Sequence, residues 1–295
     1  MAFGRKTFRL KLPSGTLVLG ERTLVMGVLN VTPDSFSDGG EFLQPERAIE
    51  HALAIERAGA NLLDVGGEST RPGSAETPAS VELERILPVL EALHGRIKIP
   101  ISVDTRRSTV AEIALRAGAQ IINDVSGLKS DPRVAEAAAR WRVPLILMHM
   151  RGEPRTMQAG GFARDVMRDV LQGLRQSAAI ARKAGVSKSQ IILDPGIGFG
   201  KSFAQNYELL RKLPQLAKLG YPLMVGTSRK GFLGATLARD GKPAPAEERI
   251  WGTATTVTAS ILNGAHIVRV HDVEEMVQVA RVADCLLDPK QRPKN

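Results

Sequence analysis

The chain holds one cysteine, Cys285, in 295 residues. That excludes an internal disulfide framework and a cysteine-rich metal site. Cys285 lies in an apolar helical pattern near the end of the chain and reads as a small packing residue. Aromatic residues make up only 4%, too few to alternate with basic residues and stack on bases. The longest apolar run, Val143 to Met148, falls far short of the ~20 residues a membrane-spanning helix needs. The opening segment MAFGRKTFRLKLPSG has no apolar h-region, so no secretory signal is visible and a cytoplasmic location is expected. None of the 5 histidines shows HExxH or facial-triad spacing, which excludes a transition metal caged by protein.

Acidic residues are missing from both ends, and this accounts for most of the net charge of +9. Arg5, Lys6, Arg9 and Lys11 at one end, with Lys290, Arg292 and Lys294 at the other, supply seven of the nine charges. The body is nearly balanced. We therefore expect solvated basic tails rather than a nucleic-acid surface.

What the chain does have is eight apolar runs, each ending in a small polar or glycine-rich cluster. They are VMGVLN (25–30), LLDVGGESTRPG (62–73), ISVDT (101–105), IINDVSG (121–127), LILMHM (145–150), IILDPGIGFGK (191–201), LMVGTSRKG (223–231) and HIVRVHD (266–272). Short runs rich in Val, Ile and Leu suit strands buried on both faces of a parallel sheet, and parallel strands need long crossovers. Helix-period stretches fill the gaps. Glycines at 59, 95, 118, 185, 220 and 264 stand where each helix should close. Pro100, Pro144 and Pro222 stand at strand starts. Asp131-Pro132 should open one helix, and Ser202 with Gln205 and Asp272 with Glu275 have capping-box spacing for two more.

This pattern predicts an α/β fold, a (β/α)8 TIM barrel, with the polar clusters gathered at the C-terminal face. Residues 1–23 should form a β-hairpin closing the bottom of the barrel, with FRLKL and TLVLG as strands and Pro13-Ser14-Gly15 as turn. Without repeats or linkers, residues 1–295 read as one domain, 289–295 being an unstructured basic tail. Two connections, 30–44 and 66–79, are long and polar enough to be lids, and Phe36 at a lid tip is hard to place in a core.

The segment DPGIGFGKS (194–202) imitates a phosphate-binding P-loop but has Pro195 where the first glycine belongs, and it fails the dinucleotide fingerprint as well. Its glycines let the backbone turn and leave Asp194 at a strand end facing the mouth. Asn30, Asp104, Asn123 and Asp194 all end strands. Two carboxylates and two amides make a poor hydrolytic triad but can read the edge of a flat heterocycle. Arg229 and Lys230 follow the seventh strand. Arg269 and His271 alternate along the eighth and share a face. A buried strand arginine should meet an anion, and we read this as an anion site in preference to an ion pair. A Mg²⁺ held mainly by substrate phosphates and one protein oxygen is compatible with this set.

These segments together resemble the dihydropteroate synthase family, in its order, from residue 26 to residue 273. The carriers are MGVLNVTPDSFSDGG, DVGGESTRPG, SVDT, INDVSG, MHMRGEPRTMQ, ILDPGIGFGKS, GTSRKGFLG and GTATTVTASILNGAHIVRVHDV. The resemblance implies joining of 4-aminobenzoate to 6-hydroxymethyl-7,8-dihydropterin diphosphate, with loss of pyrophosphate. It implies that Asp194 pairs with the pterin's amino-pyrimidine edge, assisted by Asp104, Asn123 and Lys230, with Met148 lining the pocket. Arg269, His271 and Asn30 would hold the diphosphate, and Asn30 would contact Mg²⁺. Thr70, Arg71 and Pro72 in one lid, Phe36 in the other, and Phe199, Ser228 and Arg229 would shape the aminobenzoate site. The family is commonly dimeric, so a homodimer is expected, acting on small molecules without nucleic acid or membrane. The alternatives are a pterin-binding methyltransferase barrel and a pterin-binding protein without turnover.

Overall fold

The eight apolar runs fold into eight parallel strands that close on themselves. The computed structural model describes residues 5–32, 44–69, 74, 76–152, 157 and 161–288. A hairpin comes first, β1 (Phe8–Leu12) paired antiparallel with β2 (Gly15–Leu19). The barrel strands are β3 (Leu24–Asn30), β4 (Leu62–Gly66), β5 (Ile101–Asp104), β6 (Ile121–Asp124), β7 (Leu145–Met148), β8 (Ile191–Asp194), β9 (Met224–Val225) and β10 (Ile267–Val270). Their order is β8-β7-β6-β5-β4-β3-β10-β9, and a parallel bridge from Leu193 to Leu223 joins the two ends.

Helices follow the strands. They are α1 (Gln44–Arg57), α2 (Ala79–Leu93), α3 (Ser108–Arg116), α4 (Val134–Trp141), α5 (Val166–Lys183), α6 (Phe203–Arg211) with the short α7 (Leu213–Ala217), α8 (Gly231–Thr236), α9 (Ile250–Leu262) and α10 (Val273–Leu287). The six expected closing glycines all have positive φ. Gly118 shows why: its φ is +108°, and an added Cβ would lie 2.7 Å from His94 Nδ1. The three strand-start prolines lose a donor harmlessly, because their carbonyls accept ladder bonds from Leu63, Ile122 and Leu193.

Two of the three start signals hold. Ser202 and Gln205 form the full capping box of α6, worth about 0.5–2 kcal/mol for such a cap. The carboxylate of Asp131 accepts from the backbone N–H of Arg133, and it also accepts from the N–H and hydroxyl of Ser108 at the start of α3. Asp272 differs from expectation. It stands before α10 but makes no side-chain cap, because Arg229 holds its carboxylate.

Side-chain alternation divides the barrel interior into two layers. The lower layer is apolar: Leu62, Ile121, Ile146, Ile192, Met224 and Ile267 pack with Leu10, Leu17 and Leu19 of the hairpin. The hairpin thus plugs the bottom, as the sequence predicts. Two residues further along several of the same strands stand Asp64, Asn123, Asp194 and Arg269, with Met148 beside them, a mostly polar layer.

The N-terminal charges are not all solvated, contrary to the sequence reading. Arg5 is ion-paired with buried Asp284 and donates to Thr23 Oγ1 and Ala265 O. Asp284 also accepts from the backbone and hydroxyl of Thr23. The start of the chain is thereby knotted to α10 and to the entry of β3. The 289–295 tail lies outside the described residues.

Candidate active site

A pocket partly open to solvent lies at the C-terminal ends of the strands. It brings together Asp104, Asn123, Met148, Asp194, Phe199, Ser228, Lys230, Arg269 and His271, nine of the residues predicted from sequence. Asn30 ends β3 in register with Gly66, which in turn pairs with Asp104. Its amide makes no hydrogen bond among the described residues. Phe36, Thr70, Arg71 and Pro72 lie outside the described residues.

Asp194 ends β8 and is 4% exposed. Its Oδ1 accepts the N–H of Gly196 at 2.7 Å, while Oδ2 has no partner among the described residues. Burial pushes its pKa up to about 6, against the pull of that N–H and of Lys230 and Arg269. The capping role belongs to Ser202, so this carboxylate is not needed to start the next helix. Lys230 makes no hydrogen bond among the described residues, and its Nζ sits 4.2 Å above the ring centre of Phe199. Burial, then repulsion from Arg269, lowers its pKa to about 8.

Arg269 departs from the sequence reading. Its Nε donates to Asp64 Oδ2 at 2.7 Å and its Nη2 to Asp104 Oδ2 at 2.9 Å. The structure therefore shows the ion pair that the sequence reading ranked below an anion site. Two carboxylates share one guanidinium, and burial together with the charge of Asp64 raises the pKa of Asp104. Nη1 has no partner among the described residues and is the donor left for a ligand.

His271 belongs to the expected anion site, yet it stands neutral. Burial, then Arg269, holds its pKa down at about 3. Ser228 Oγ accepts the backbone N–H of His271 at 3.1 Å and lies 3.0 Å from its Nδ1. With the Ser228 hydroxyl donating to Nδ1, the ring proton sits on Nε2 and makes it a neutral donor. Arg229 is not in the pocket lining. It has φ +58°, and its guanidinium is turned to Asp272 while its carbonyl accepts from Arg249.

Sequence reasoning missed Asp64. It is fully buried in mid-strand and binds both Arg269 and Asn123 Nδ2 (3.0 Å). The signal was present, since a carboxylate inside an apolar run needs a partner. The nearby lining residues Val125, Ile197 and Met224 were also missed, because apolar wall residues look like core. No cluster of three or more His, Cys, Asp or Glu residues suited to a metal occurs among the described residues.

Residues 26–271 match the pterin binding enzyme family. The chain is 50% identical to the dihydropteroate synthase of a Synechocystis species, over 90% of this chain and 91% of the relative. The chain belongs to the dihydropteroate synthase family. Solved members have the same fold. A Xanthomonas albilineans dihydropteroate synthase with 4-aminobenzoic acid matches with TM-score 0.88 and 40% identity, covering 95% of this chain and 98% of that one. The Xanthomonas albilineans synthase in complex with 7,8-dihydropteroate matches with TM-score 0.84 and 39% identity, covering 94% and 98%.

Proposed function

We propose that this chain makes 7,8-dihydropteroate and pyrophosphate from 6-hydroxymethyl-7,8-dihydropterin diphosphate and 4-aminobenzoate. The observation that carries the reading is the convergence of acceptors and donors from separate strands in one pocket, several of them without a partner among the described residues. Asp194 Oδ2 accepts from the amino-pyrimidine edge of the pterin, and the amide of Asn123, whose Oδ1 is buried without a partner, reads the same ring. Met148 forms an apolar wall, and Lys230 covers the ring.

The bond to break joins a methylene to diphosphate. An electron-rich ring stabilises positive charge on that methylene, so the departure is S_N1-like. The protein must then hold a leaving polyanion with preoriented donors. Arg269 Nη1, His271 Nε2 and the Asn30 amide are the donors available for it. The amine of 4-aminobenzoate attacks in its neutral form, so no strong base is required. Phe199 and Ser228, together with Arg229 and with Thr70, Arg71, Pro72 and Phe36 on the strength of the family resemblance, are assigned to the aminobenzoate side and to excluding water.

Mg²⁺ belongs to the same proposal. Asn30 offers one neutral oxygen at the mouth, which fits an ion held mainly by phosphate oxygens. When bound, the ion would neutralise charge on the leaving group.

A homodimer is also part of this reading. Phe203 and Tyr207 on α6, Trp251 and Leu262 on α9, and Val282 and Leu286 on α10 are exposed on neighbouring helices, Trp251 by 77%. A second copy of the chain would cover them. We place the reaction in the cytoplasm; no helix among the described residues is long and apolar enough to cross a membrane.

The test is pyrophosphate release. It should require both substrates and Mg²⁺ and yield dihydropteroate in equal amount. Release without 4-aminobenzoate at the same rate, or no release at all, would overturn the proposal.

A further inference from the structure

Lys201 is among the largest fully buried side chains of the described residues, 1% exposed, and the chemistry above gives it no task. It closes the segment that imitates a P-loop. Its Nζ donates to the carbonyls of Phe199 (2.9 Å) and His149 (3.0 Å) and lies 3.2 Å from His149 Nδ1. Burial lowers the pKa of Lys201 to about 7; in its ammonium form it has three N–H bonds, and these three acceptors match them in number. His149 is held neutral, chiefly by burial and next by Lys201 itself, so Nδ1 can offer its lone pair.

The loop that Lys201 ties down has no slack. A Cβ at Gly196 would lie 2.0 Å from His149 O, and one at Gly200 would lie 2.1 Å from Arg151 O. Backbone thus packs directly on backbone between the loop after β8 and the loop after β7. A Cβ at Gly198 would touch Lys230 Cδ at 3.2 Å. Between these glycines stands Phe199, whose ring carries Lys230 Nζ. The chain of contact runs from Lys201 to the Phe199 backbone, from the Phe199 ring to Lys230, and so to the pocket.

We infer that Lys201 is a positioning residue: it clamps the loop after β8 to the end of β7 and so sets the place of Phe199 in the aminobenzoate subsite. It does not touch substrate. A phosphate has no access to it, because its donors are engaged and its amine is buried. This inference rests on the assignment of Phe199 to aminobenzoate binding.

Replacing Lys201 by Gln keeps a donor but loses at least one of the three contacts. Lys201→Gln should raise KM for 4-aminobenzoate about tenfold while kcat and KM for the pterin diphosphate stay within about threefold. Because the effect passes through the Phe199 ring, Lys201→Gln added to Phe199→Ala should change KM by less than about twofold beyond Phe199→Ala alone. An unchanged KM, effects that multiply in the double variant, or a parallel fall of kcat with thermal stability would each overturn the inference. The unaltered protein gives a check that needs no variant. The ¹⁵N shifts of His149 should show Nδ1 without a proton and Nε2 with one, and the reverse tautomer would contradict the clamp. Wild-type turnover in the same assay separates the two proposals: if it is absent the function fails, and if it is present with a silent Lys201→Gln only the clamp fails.

Discussion

A single carboxylate shows how burial becomes pH dependence. Asp194 has its pKa raised to about 6 because water is excluded from it. Its acceptor form is present above that pH and is lost below it. Pterin affinity should therefore be full at neutral pH and fall as the pH drops through about 6. Asp194→Asn should weaken binding by about 1.5–3 kcal/mol, the range for a lost bond to a charged group, and abolish this pH dependence. Calorimetry between about pH 5 and pH 8 would show both effects; equal affinity across that range in the unaltered protein would contradict the assignment. Arg269 carries a different consequence. Because it compensates Asp64 and Asp104, Arg269→Ala should lower stability by about 3–5 kcal/mol as well as turnover. Denaturant unfolding of the variant measures the first and pyrophosphate release the second. Asp194 and Asp104 were legible because they end their strands, and Asn123 because it stands one residue before the end of its own, each in a small polar cluster. Asp64 was not, because the glycines that follow it drew attention to the backbone. The pairing of Arg269 with acids was not legible either, since distance across a barrel leaves no mark on one strand.

The hairpin and the helix ends are where local chemistry holds the frame. Arg5 and Asp284, both nearly buried, join residues 279 positions apart. Arg5→Ala leaves Asp284 buried with only the Thr23 donors, so the melting temperature should fall measurably while KM for both substrates stays unchanged. A raised KM would show that the knot reaches the site. The barrel strands were readable because parallel strands buried on both faces are apolar throughout, and the closing glycines because a positive φ selects them. The cap at Asp272 was misread for a physical reason. Its spacing to Glu275 is correct, but Arg229 offers a full charge where a backbone N–H offers part of one. The short α7 and α8 were also unforeseen. Each is under two turns, and such pieces are set by neighbours rather than by a periodic face.

Across the whole molecule, one rule connects sequence to activity. Alternation along parallel strands puts apolar side chains below and polar ones above, and closure turns eight strand ends into one cup. The exposed apolar band on α6, α9 and α10 belongs to this scale too. Light scattering should find a dimer, and Trp251→Glu should shift it toward monomer; a monomer in the unaltered protein would remove that part of the reading. The fold alone would leave function undetermined, since barrels serve many chemistries. The most direct measurement is a crystal structure of this chain with the pterin diphosphate bound. The account predicts the amino-pyrimidine edge on Asp194 and Asn123, with the diphosphate reaching Arg269 Nη1 and His271 Nε2. A ring seated away from Asp194, or a diphosphate turned from Arg269, would contradict it.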